Sequence, residues 1–208
     1  MNILAVDCCL KFTGLALMLN DSVVDFDSQD LGRLQSRELP LMTERILARN
    51  NITFADIDYI ALTNGPGYFT GIRVGAAYAS GLAYACGVKI IPVSPLEVLA
   101  YDYNSSHEKV LVLVYAGHGF VYASCKDLLP EGEYSHPQII SWLNENPDSR
   151  IISDDPEKIN LNLDVNINIS RVKPDVKSLC RIARENINLA VSPLELKILY
   201  YRAPQGVN

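Results

Sequence analysis

Three stretches of the chain have residue types and spacings that could do chemistry. Asp7 closes the apolar run Ile3–Val6 and is followed by Cys8-Cys9-Leu10-Lys11. A carboxylate at the end of a first strand can hold magnesium beside phosphates. The glycines and hydroxyls that let a backbone wrap a nucleotide are missing here, so a turn or capping role is the plainer expectation for Asp7. The second stretch is Asn64-Gly65-Pro66-Gly67-Tyr68-Phe69-Thr70-Gly71-Ile72-Arg73-Val74-Gly75, a Gly-rich turn opening a helix. Gly65 and Gly67 permit close backbone approach, Thr70 can cap the helix, and Arg73 can add a fork of donors in its first turn. Such a corner can cradle an anion, although no P-loop Lys-[ST] follows and the glycines can serve the turn alone. Third, Lys173, Lys177, Arg181 and Arg184 fall 4, 4 and 3 apart, on one helix face beside Arg171. They are either a solvated face or a supplementary RNA contact within a larger assembly.

Other chemistries find little support. Five cysteines include the adjacent Cys8 and Cys9 but no C-x-x-C pair, and three histidines (His107, His118, His136) lack metal-ligand spacing. No metal or cofactor is therefore expected. Neither Cys8 nor Cys9 carries a nucleophile's signature, so both are expected as buried strand-end thiols. Asp154-Asp155 and Glu131/Glu133 are expected as solvated loop residues. Eighteen Lys+Arg against 24 Asp+Glu give a net charge of −6, which disfavours autonomous binding of nucleic acid. The 208 residues fit one large or two small domains. An acidic residue at position 7 precludes a signal-peptide core, and no apolar run approaches a membrane span, so a cytoplasmic chain is expected.

The elements that must position these residues follow from periodicity. Ile3–Val6, Gly14–Leu19 and Val23–Phe26 predict a three-strand meander. Leu34–Arg49 predicts a helix with two apolar faces, Leu39, Met42 and Ile46 on one and Leu34, Leu41 and Ala48 on the other, with Pro40 starting or kinking it. Strand Asp58–Thr63, helix Phe69–Cys86 and strand Val88–Val93 imply a parallel portion of the sheet. Gly71, Gly75, Ala79 and Ala83 make a side-chain-poor ridge against which another helix could pack closely. A helix over Ser94–Tyr103 precedes a polar break at Asn104-Ser105-Ser106. Strands Val110–Val114, Phe120–Ser124 and Arg150–Ser153 and a helix over Pro174–Asn186 complete the order. The expectation is an α/β chain of two ribonuclease-H-like or actin-like lobes, residues 1–105 and a reduced second lobe over 106–208.

The stretch Gly65–Gly75, preceded by Ile3-Leu4-Ala5-Val6-Asp7 and followed by Pro92-Val93-Ser94, resembles the TsaB (YeaZ) family of tRNA threonylcarbamoyladenosine biosynthesis proteins. Leu39-Pro40 and Tyr200-Tyr201-Arg202 are similar to its patterns as well. The resemblance is strong over roughly the first hundred residues and weak beyond. It implies an actin-like ATPase (ASKHA) fold without catalytic apparatus, a scaffold that docks on a TsaD-type transferase while a TsaE-type ATPase completes the assembly. It further implies that the helices at Leu34–Arg49 and Phe69–Cys86 form the face used for that docking and for a homodimer. Leu34, Arg37, Leu41, Met42 and Arg45 would line it from the first helix, and Gly71, Gly75, Tyr78, Ala79 and Leu82 from the second. tRNA would be met only within the complex, and no membrane is involved.

The chain departs from the family pattern at Asp7-Cys8-Cys9, where Asp-Thr-Ser is usual, at Leu34, where histidine is usual, and at Tyr115-Ala116-Gly117, where Asp-Ala-Arg is usual. These departures weaken any nucleotide role. The competing expectation is an ATP-dependent small-molecule kinase or a peptidase on the same fold, which rests on Asp7 and the Gly-rich turn alone.

Overall fold

A computed structural model describes residues 1–103, 108–161 and 168–201. Five strands form the first sheet: β1 (Ile3–Asp7), β2 (Thr13–Leu19), β3 (Ser22–Gln29), β4 (Tyr59–Thr63) and β5 (Lys89–Val93), in the order β3-β2-β1-β4-β5. The meander β1–β3 is antiparallel, while β4 and β5 add parallel to β1. The second sheet holds β6 (Val110–Gly117), β7 (Phe120–Cys125), β8 (Leu129–Ser135), β9 (Arg150–Ser153) and β10 (Ile169–Arg171), in the order β10-β9-β6-β7-β8. Its first three strands are again antiparallel and its last two parallel to the first. The two sheets thus repeat one strand order, as the expected pair of lobes requires.

Helices α1 (Gln35–Arg49) and α2 (Phe69–Cys86) cover one face of the first sheet, with Leu39, Met42, Ile46, Ala76, Ala79 and Ala83 against Leu4, Val6, Leu15 and Leu62. Helix α3 (Pro95–Ala100) follows β5, and α4 (His136–Glu145) packs Ile139 and Leu143 on the second sheet. Pro40 is the sixth residue of α1, where its missing N–H removes one intrahelical bond, the one to the Ser36 carbonyl. Gly87 ends α2 in the left-handed region at φ 69°, where a side chain would be strained.

The packing does not divide at residue 105/106. Helix α5 (Val176–Glu185) returns to the first sheet and buries Val176, Leu179, Cys180 and Ile182 against Ile3, Ala5, Ala16 and Met18. Val191 then bridges Ile90, and Leu199 N–H donates to the Asn64 carbonyl. Leu10, from the β1–β2 turn, sits among Val110, Val112 and Ile152 of the second sheet, so the lobes share a core. The expected break at 104–106 lies outside the described residues, as does Arg202. Among the described residues no helix is long and apolar enough to cross a membrane.

Candidate functional site

The carboxyl ends of β1, β4 and β9 converge between the two sheets, the location where open α/β sheets place ligands. Asp7 ends β1 at 1% exposure; its Oδ1 accepts from Thr63 Oγ1 at 2.7 Å and from the Cys9 N–H at 3.1 Å. This is a local turn cap built on a buried carboxylate. Burial pushes the Asp7 carboxyl up to about 6, with the two hydrogen bonds opposing and the Asp154 charge adding. The folded chain therefore holds this proton more tightly than the unfolded one. Stability falls as pH rises from 3.8 to about 6, and the cost is constant above that. At neutral pH the buried charge costs about 3 kcal/mol at 1.36 kcal/mol per unit, so Asp7→Asn should stabilise the chain by up to that amount. Denaturant unfolding of the two proteins at pH 7 and pH 5 checks it; the gain must shrink at the lower pH.

Cys8 and Cys9 are buried, as expected, and burial first and the Asp7 charge second push both thiols well above the ordinary range. Cys9 Sγ donates to the Thr63 carbonyl at 3.1 Å. Neither is a thiolate at neutral pH.

The Gly-rich turn is engaged by this chain's own backbone. A Cβ on Gly67 would collide with the Cys9 carbonyl and one on Gly71 with the Cys8 carbonyl. Gly65, at φ 102°, lies against the Leu199 carbonyl. Tyr68 N–H donates to the Cys9 carbonyl at 2.7 Å. The glycines therefore let α2 seat on the β1–β2 turn, which leaves no cradle for an anion at Gly65 and Gly67. Thr70 makes no cap, because Tyr68 is the N-cap residue and has no side-chain capping bond. Arg73 stacks over Phe69 at 3.9 Å and reaches Tyr200 Oη at 3.4 Å, away from the Asp7 turn.

Asp154 and Asp155, expected in solvent, are buried at the end of β9. Asp154 Oδ2 accepts from Lys11 N–H at 2.8 Å, and its Oδ1 has no partner among the described residues. Burial pushes the Asp154 carboxyl up, with the Lys11 bond opposing. Asp155 accepts from Lys11 Nζ at 2.8 Å and from Tyr68 Oη at 3.2 Å, and Lys158 Nζ lies 3.2 Å from it. Burial opposes its charge, but the bonds from Lys11 and Lys158 outweigh that and hold its carboxyl below the usual range. Sequence reasoning misses this cluster because Ser153-Asp154-Asp155-Pro156 reads as a polar turn, and nothing local signals that a second lobe closes over it. Glu131 and Glu133 likewise lie on β8, where Glu131 Oε2 accepts from Ser94 Oγ at 2.5 Å.

The basic helix face is partly spent on local contacts. Lys173 Nζ donates to the Ser28 carbonyl and lies over Phe12, and Lys177 lies over Phe26. Arg184 donates to the Asp21 carbonyl, and Arg181 lines a shallow crevice beside it. Among the described residues no three His, Cys, Asp or Glu side chains gather as metal ligands.

The outer face of α1 and α2 differs from the expectation in its details. The second apolar face of α1 is open, with Leu34 47% and Leu41 43% exposed beside exposed Arg37 and Arg45. Met42, at 1%, points into the core, as do Gly71, Gly75 and Ala79 of the small-residue ridge. That ridge is consumed inside the lobe because α2 must approach Cys8 and β4 closely. One row further round α2, Ala77, Gly81 and Tyr84 are exposed, and a Cβ on Gly81 would meet nothing. Tyr78 and Leu82 are half-buried between the two rows. The surface is thus a greasy stripe beside a row that is low at Ala77 and Gly81 and ends at the protruding Tyr84.

Two sheets of one strand order, each opening with a meander and closing with parallel strands, define a two-lobed ribonuclease-H-like, actin-like α/β protein. YeaZ from Pseudomonas aeruginosa shares this fold, with a TM-score of 0.74, 21% identity and coverage of 96% of this chain and 99% of that one. The family model described as TsaD, tRNA N6-adenosine threonylcarbamoyltransferase, matches residues 29–133, and the chain belongs to that family. The curated protein TsaB of Buchnera aphidicola (subsp. Schizaphis graminum) is 28% identical over 151 residues, 72% of this chain and 68% of that protein. TsaB of Escherichia coli (strain K12) is 32% identical over 124 residues, and the match spans 59% of this chain and about half, 53%, of the curated protein.

Proposed function

We propose that this chain is a non-catalytic subunit of the cytoplasmic machinery that forms N6-threonylcarbamoyladenosine in tRNA, docking on a TsaD-type transferase through the outer face of α1 and α2. The curated relatives are named for that biosynthesis. The observation that carries the reading is the open second apolar face of α1, Leu34 and Leu41, beside the unobstructed Ala77–Gly81 row of α2. Side-chain-poor rows allow close helix approach, and exposed leucines gain by being covered. The self-filled Gly-rich turn and the capped Asp7 support a chain that makes no bonds itself, which disfavours the kinase or peptidase alternative. A TsaE-type ATPase and tRNA would then join through the assembly, and the same face would pair two copies when the transferase is absent.

The test is copurification of the full chain with a TsaD-type transferase. Leu41→Glu and Gly81→Arg should abolish pairing while leaving the melting temperature within a few degrees of the parent. Retained pairing by both would place the docking face elsewhere. Met42→Glu and Gly75→Arg are unsuited to this purpose, since both strike the buried core and would unfold the chain.

A further inference from the structure

Independently of docking, the ion cluster between the lobes has the composition of a filled anion site. The Asp155 side chain is only 5% exposed, yet cations from both lobes surround it. Lys11 reaches it from the β1–β2 turn at 2.8 Å, Lys158 from the segment after β9 at 3.2 Å and Arg171 from β10 at 3.9 Å. The phenol of Tyr68, at the start of α2, donates to it at 3.2 Å and in turn accepts from Lys158 Nζ at 3.1 Å. A surface ion pair needs one cation; here Lys11, Lys158 and the Tyr68 phenol engage one carboxylate directly, with Arg171, bonded to Glu157, at the outer edge of the cluster, where both sheets present strand ends. The surroundings are not uniformly positive: Asp154 borders the cluster with its unpartnered Oδ1, Asp7 lies beyond it, and Glu157 pairs with Arg171.

We propose that the Asp155 carboxylate is a built-in anion: it occupies a cation pocket shared by the two lobes and so closes the cleft to external carboxylates and phosphates. Lys11, Lys158, Arg171 and Tyr68 are the host, and Asp155 is the guest supplied by the chain. Removing the guest while keeping the host should uncover a site for a small anion.

Thermal unfolding of the full chain tests this, with acetate or inorganic phosphate compared against chloride at equal ionic strength. Asp155→Ala should melt lower than the parent in chloride and recover at least half of the loss in acetate or phosphate, while the parent shows no anion-specific shift. A destabilised Asp155→Ala that responds to neither anion beyond chloride would reduce the cluster to an ordinary salt bridge and overturn the proposal. So would titration heat on adding phosphate to the parent that disappears in Lys11→Met. Should Asp155→Ala fail to fold, Asp155→Ser removes the charge and vacates the place of the carboxylate while keeping one polar atom. It should gain the same anion-dependent stabilisation, and its failure to do so would equally overturn the proposal.

Discussion

Gly71→Ala is expected to unfold the chain under conditions where Gly81→Ala melts at or above the parent temperature. Both glycines lie inside α2, where alanine is intrinsically the better helix former by about 1 kcal/mol. The same substitution should nevertheless have opposite signs at the two positions. A Cβ on Gly71 would be driven into the Cys8 carbonyl, a backbone atom at the end of a central strand, whereas one on Gly81 meets open space. The carbonyl cannot retreat without shifting β1, which pairs on both sides with β2 and β4 and holds the Asp7 cap. Backbone overpacking of this kind costs about 3 kcal/mol or more, a large fraction of the ~5–15 kcal/mol that holds a domain folded. Circular dichroism melts of the two variants decide it. Equal behaviour would mean that α2 does not rest on the β1–β2 turn.

The second large effect concerns association. Leu41→Glu places a charge in the middle of the exposed apolar face of α1, between Leu34 and Arg45. In the free chain that carboxylate is solvated, so the fold should lose no more than about 0.5 kcal/mol. In a covered interface it would be stripped of water, and even with Arg37 and Arg45 four residues to either side the desolvation should cost about 3 kcal/mol, which is about a hundredfold in Kd. Gly81→Arg acts differently, by filling the low row that a partner helix needs. Because the two variants fail for different physical reasons, loss of binding in both identifies the face rather than one contact. Titration calorimetry against a TsaD-type transferase reads this directly, with the parent chain's melting temperature as the control.

Much of this architecture is legible in the residues. The bounds expected for α2 coincide with those observed, and the two-faced pattern of Leu34–Arg49 resolves into one buried and one open face. Strand β8 is hidden from pattern reading because Leu-Pro-Glu-Gly-Glu-Tyr-Ser carries proline, glycine and two acids where alternation would be sought; as the edge of its sheet it tolerates them. Helix α4 begins at His136-Pro137 with Ser135 and Gln138 as a capping box, a local signal that could have placed it. The ridge Gly71–Gly75–Ala79–Ala83 is plain in the sequence, but which helix row faces outward depends on the rotation of α2 about its axis. That rotation is set by Cys8 and Cys9, some sixty residues away in sequence. The Asp155 cluster is invisible for the same reason, since Lys11, Tyr68 and Asp155 come together only when the second sheet closes on the first. Local periodicity reports which residues share a face; it does not report what that face meets.

The proposed roles, a cleft without catalytic duty and an outer face for docking, should be separable in the cell. The most direct measurement is the content of threonylcarbamoyladenosine in tRNA from cells whose own copy of this protein is replaced by Asp7→Asn or by the Leu41→Glu, Gly81→Arg double variant. Asp7→Asn should leave the modified adenosine at the parental level, and the folded double variant should abolish it. Normal modification with the double variant, or loss of modification with a folded Asp7→Asn protein, would contradict this division of roles.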